Sequence, residues 1–117
     1  MSRGRWGTAG LWFLQGAAAG LFLFSGTAKL IGHPVMVQLF AAIGVGQWFR
    51  YVTGGVEVIG AILLLVPSFA LFGALALAVT MAGAIITHLF VVGGNPAVPL
   101  VLLGVTGTIA RARRIRR

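Results

Sequence analysis

Residues 48–66 read WFRYVTGGVEVIGAILLLV, and the fold turns on how Glu57, in the middle of them, is explained. It is the only carboxylate in the chain, and no Lys, Arg, Asp or Glu follows it until Arg111. The stretch is close to the ~20 apolar residues that a membrane span needs. A charge at that depth costs about 2.5–3.5 kcal/mol on insertion scales, so a buried Glu57 needs a partner or a task. The other polar groups at membrane depth can be enumerated: Gln15, Ser25, Lys29, Thr53, Thr80, Thr87 and His88.

Composition agrees with the local reading. Hydrophobic residues make up 59% and charged residues 9% of the 117, which excludes an ordinary soluble surface. The length holds at most about four or five spans of ~20 residues, leaving no room for a soluble catalytic domain. Without cysteine there is no disulfide, thiolate metal site or dithiol centre. His33, His88 and a single glutamate come from different elements, so no metal site is expected.

The net charge of +8 is not a nucleic-acid signature once the charges are placed. Arg3 and Arg5 precede the first apolar run, and Arg111, Arg113, Arg114, Arg116 and Arg117 follow the last. This is the positive-inside pattern; it predicts both termini in the cytoplasm and an even number of spans. The same five C-terminal arginines suit anionic lipid headgroups. No aromatic or fold signature of nucleic-acid binding accompanies them.

The spans are expected at about 11–31, 48–66, 69–92 and 97–110, with a basic cytoplasmic tail at 111–117. The first run is longer than the ~7–15 residue core of a cleaved leader, so it reads as a span. It ends at Gly32-His33-Pro34, where proline disfavours further helix. The stretch from Pro34 to Ile43 is too short to cross and is placed along the outer interface. Trp48 and Tyr51 mark the outer aromatic belt, Trp6 and Trp12 the inner one. The predicted fold is all-α, a single-domain integral membrane four-helix bundle with a short interfacial helix between spans one and two.

Depth and helical spacing then group the polar residues. Lys29, Glu57 and His88 all fall in the outer half of the bilayer. Ser25 and Lys29 share one stripe of span one, Thr53 and Glu57 one stripe of span two. These five residues form the candidate cluster, as ligand-binding groups or as a structural register for the bundle, since a buried ion pair by itself implies neither. Gly16 and Gly20 form a GxxxG element for helix packing within the chain or between protomers.

Ser25-Gly26-Thr27-Ala28-Lys29-Leu30 resembles the small-Gly-x-x-Lys-Leu segment that closes the first helix of DoxX-like membrane proteins. Gly54-Gly55-Val56-Glu57-Val58-Ile59-Gly60-Ala61-Ile62-Leu63-Leu64-Leu65 resembles that family's second-helix pattern, and His88 stands where many members carry a third-helix histidine. The resemblance covers roughly residues 10 to 110 and implies a four-helix membrane bundle. It also implies a link to quinone, sulfur or oxidative-stress redox complexes, or to the assembly and export of other membrane proteins. The absence of cysteine argues against a thiol-based mechanism.

The functional expectation is a non-catalytic accessory or ligand-binding subunit of the cell membrane, since no nucleophile-base set, phosphate loop or metal motif is present. No intrinsic cofactor is expected; a quinone headgroup or a sulfur oxyanion is the candidate ligand. The expected partners are the lipid bilayer, further copies of the chain and other membrane proteins. An assembly chaperone or scaffold is the alternative, and a small-molecule transporter a lesser one.

Overall fold

The computed structural model describes residues 2–115, with side chains from 7 to 114. Met1, Arg116 and Arg117, and the side chains of Arg3, Arg5 and Trp6, lie outside the described residues. The described chain is all-helical: α1 (Ser2–Ile31), α2 (Pro34–Ile43), α3 (Trp48–Leu64), α4 (Ala70–Thr87) and α5 (Ala97–Ile115). A 3₁₀ turn (Pro67–Phe69) leads into α4, and a π-helical turn (His88–Val92) follows it.

Local chemistry sets the breaks. α1 stops where Gly32 turns left-handed at φ 76°. His33 then caps α2, its Nδ1 accepting from Val35 N at 3.3 Å, with Pro34 in the first turn. Gly44, at φ 83°, ends α2 by donating back to the Phe40 carbonyl. The axes of α2 and α3 then differ by 119°.

α1 packs antiparallel on α3, α3 on α4 and α4 on α5, while α5 returns to touch α1. Two helices are long and apolar enough to cross a membrane, Gly7–Ile31 and Pro67–Val92, and the bent pair of α2 and α3 would be a third. α5 is apolar only up to its arginines. Arg111, Arg113 and Arg114, expected in the basic tail, belong to its last turns. Alanine and arginine favour helix, and the cations complement the C-terminal end of the helix dipole.

The interior is small and the exterior large. Ala18, Ala19, Ala61, Ala70 and Ala74 are buried around Phe22, Leu64, Leu77 and Ile109. Phe13, Phe24 and Phe90 are 79%, 78% and 80% exposed. Lipid offers no hydrophobic gain on helix association, so close contact between small residues drives it instead.

Glycine sets the two tightest crossings. A Cβ on Gly54 would lie 3.0 Å from the Gly26 carbonyl and 2.9 Å from Lys29 Cβ. One on Gly73 would lie 2.7 Å from the Gly60 carbonyl. Gly16 and Gly20 have nothing within 4 Å of an added Cβ, so they pack no helix within the chain. Their side of α1 faces outward.

Candidate functional site

The α1–α3 crossing brings the rare charges together. With no side chain at Gly54, the Lys29 stem lies against α3, and its Nζ comes within 2.6 Å of Glu57 Oε1. The same nitrogen donates to Ser25 Oγ, one turn earlier on α1, at 2.7 Å. The Lys29 side chain is 11% exposed and that of Glu57 1%. Nζ approaches Oε1 too obliquely for a well-directed hydrogen bond, so this oxygen is neutralised by charge without being saturated by donors.

A cavity of about 650 Å³ opens beside this pair. Ser25 and Lys29 of α1, Thr53 and Glu57 of α3, and His88 after α4 all line it. Most of the remaining wall is apolar: Met36, Leu39, Phe40 and Ile43 from α2, Val52 and Val56 from α3, Val98, Pro99 and Leu102 from α5. Such a volume, mostly apolar with a few convergent polar groups, is typical of small-molecule sites.

Each threonine hydroxyl in the wall has its proton assigned locally. Thr53 donates to the Phe49 carbonyl at 2.9 Å, Thr80 to that of Ala76 at 2.8 Å, and Thr87 to that of Gly83 at 2.8 Å. These i−4 bonds satisfy the hydroxyl within its own helix. His88 Nδ1 lies 3.0 Å from the Gly93 carbonyl, which can only accept, so Nδ1 carries the proton. The π-helical turn and the left-handed Gly93 bring that carbonyl back to the ring.

Arg50 is a functional candidate that the sequence reading passed over. It is buried, and its Nη1 donates to the Lys29 carbonyl. Its Nε donates to Gln47 Oε1 at 2.8 Å, and its guanidinium lies 4.4 Å from the centre of the Tyr51 ring. It thereby satisfies a carbonyl left open by the end of α1 and fixes the backbone from which Lys29 projects. The available signal was its place one turn into a helix that otherwise carries only Glu57.

At the end of the molecule that carries both termini, a second polar cluster joins three helices. Gln15, fully buried, donates from Nε2 to the Leu64 carbonyl at the end of α3, at 2.6 Å. Its Oε1 accepts from Arg113 Nε of α5 at 2.6 Å, and the guanidinium lies 4.6 Å from the Trp12 ring centre. Gln15→Leu strands the Leu64 carbonyl and removes one acceptor from Arg113, and should lower stability by about 1–3 kcal/mol, read from unfolding in mixed micelles. A loss below about 0.5 kcal/mol would show that water takes over both bonds.

Among the described residues no group of three or more His, Cys, Asp or Glu could hold a metal ion. Compared with protein-family models, residues 13–109 match the one described as the DoxX-like family. Neither the curated proteins nor the solved structures give a match.

Proposed function

The chain belongs to the DoxX-like family, and from that premise we propose that it is a non-catalytic ligand-binding subunit, holding a small amphiphile in the cavity beside Lys29 and Glu57. The observation that carries this reading is an ion pair set in the wall of an otherwise largely apolar cavity of about 650 Å³. A pair needed only for register has no use for a cavity at its side. The lining brings a carboxylate, an ammonium and an imidazole to an apolar chamber, which suits a polar head on an apolar body.

The proposal has a membrane frame. α1, α3, α4 and α5 cross as a single-domain four-helix bundle, with α2 along the outer interface and both termini in the cytoplasm. The arginines beyond each end of the apolar core support that orientation in a cell membrane. From Ala97 to Ala110, α5 covers ~21 Å of a ~30 Å core, so its arginines snorkel to the inner surface. There Arg111 and Arg114, both exposed, and Arg113 meet anionic headgroups, Arg116 and Arg117 extending the run. The outward Gly16 and Gly20 offer a packing edge to a second copy. A quinone-type ring, in its hydroquinone form, is a ligand of suitable shape, and a redox complex a suitable partner.

The test is mild extraction of wild-type protein and of Glu57→Gln, followed by mass spectrometry of what each retains. The wild type should carry a lipid-soluble small molecule that Glu57→Gln loses, while both melt within a few degrees of each other. Equal retention by the variant would sink the ligand role of Glu57. Varied membrane proteins without any small molecule would point instead to an assembly scaffold.

A further inference from the structure

We infer that the ligand enters as a hydrogen-bond donor, an uncharged hydroxyl head on an apolar body, and not as an anion or a purely accepting carbonyl compound. This rests on the cavity being a ligand site and goes further by reading the protons of its wall. Lys29 is the one cation among the lining residues, and Glu57 offsets it at 2.6 Å. Arg50, the next basic side chain, is absent from the lining and is held by the Lys29 carbonyl, Gln47 and the Tyr51 ring. The wall therefore offers an anion no net positive charge and places a carboxylate beside it.

Hydrogen bonding points the same way. The hydroxyl protons of Thr53, Thr80 and Thr87 are committed to carbonyls of their own helices, so these side chains turn lone pairs to any visitor. Because Nδ1 of His88 donates to Gly93, Nε2 is left as the acceptor of the imidazole tautomer. Glu57 accepts only, and its Oε1, itself buried, faces the Lys29 ammonium at 2.6 Å. On the donor side there remain the Nζ protons of Lys29 not given to Ser25, the Ser25 hydroxyl and the Asn95 amide, whose Oδ1 already caps α5 through Ala97 N. The groups the wall turns to a visitor are thus largely acceptors, the oxygens of Thr53, Thr80 and Thr87 and Nε2 of His88, and a hydroxyl proton is what they lack.

The experiment uses the full chain in nanodiscs and scintillation proximity with tritiated 4-octylphenol, against empty nanodiscs. The competitors are 4-octylanisole, which has lost the hydroxyl proton, and octyl sulfate, which adds a negative charge. Saturable phenol binding is expected, with each competitor about tenfold weaker than unlabelled phenol, roughly what one net hydrogen bond carries. Ala84→Phe and Val56→Phe, which each put a ring into the chamber, should abolish it; either suffices if it stays monodisperse and folded.

If the anisole or the sulfate competes as well as the phenol, and the filled variants lose all binding, the donor inference falls and the ligand cavity stands. If no probe binds, or the filled variants keep their binding, both the inference and the cavity reading fall.

Discussion

Lys29→Met should destabilise the protein by about 3–5 kcal/mol, the range found when one partner of a buried pair is removed and the other left in place. Glu57→Gln should cost clearly less, about 1 kcal/mol. The asymmetry follows from geometry. Glu57, 1% exposed, sits between two and three turns into α3 on a short side chain that is buried to its tip. Losing Lys29 therefore strands a carboxylate in an apolar wall. Losing the Glu57 charge strands an ammonium on a long stem near the end of α1, which keeps its bond to Ser25 Oγ at 2.7 Å and can swing toward the interface. A glutamine oxygen at position 57 can still accept from it.

The double variant Lys29→Met, Glu57→Gln should regain most of what Lys29→Met alone loses, because the isolated charge has gone. Unfolding in mixed micelles for the two single variants and the double gives the coupling directly. Equal losses for the two single variants would show that the pair is symmetric in burial. Additivity in the double would show that the two side chains stabilise the fold independently, against their 2.6 Å approach.

How much of this was legible beforehand depended on the kind of signal. A helix that carries a lone glutamate amid apolar residues announces its own partner problem; depth counting put Lys29 and His88 level with Glu57, and helical spacing added Ser25 and Thr53 to the candidate cluster. Depth is one-dimensional, however, and cannot say which helix faces which. That is why Gln15, noted in the sequence only as a polar group at membrane depth, had no partner until α5 placed Arg113 beside it, 98 positions away. Arg50 was hidden for a related reason. It stands where the sequence leads one to expect a span to meet the interface, and basic residues there are normally solvated. Its burial depends on Gly32 turning the chain so that the Lys29 carbonyl comes within reach.

Glycine gave the clearest mismatch between pattern and packing. The formal GxxxG element, Gly16 and Gly20, faces away from every other helix, while Gly26, Gly54, Gly60 and Gly73 make the crossings. Spacing identifies a smooth helix face; it does not identify what lies against it. The burial of Gly54 follows from Glu57, since residues three apart on a helix share a face. A charged residue that must face inward is the better guide to the packed side.

Alanine substitutions at these glycines should therefore change stability with opposite signs. Gly73→Ala places a Cβ 2.7 Å from the Gly60 carbonyl and 2.9 Å from Leu64 N, both backbone atoms that no rotamer change can move. α3 and α4 must separate, which should cost about 1–3 kcal/mol and loosen the α3 helix that carries Glu57. Gly16→Ala meets nothing within 4 Å and gains the helix propensity of alanine, so it should be neutral or stabilise by up to about 1 kcal/mol. Unfolding in mixed micelles reads both changes, and size-exclusion chromatography adds a second test at Gly16. If the outward face joins two copies, Gly16→Leu should shift the elution toward monomer while the monomer fold persists. An equal loss of stability for Gly73→Ala and Gly16→Ala would show that both glycine faces are packed, and the α3–α4 crossing would lose its special status.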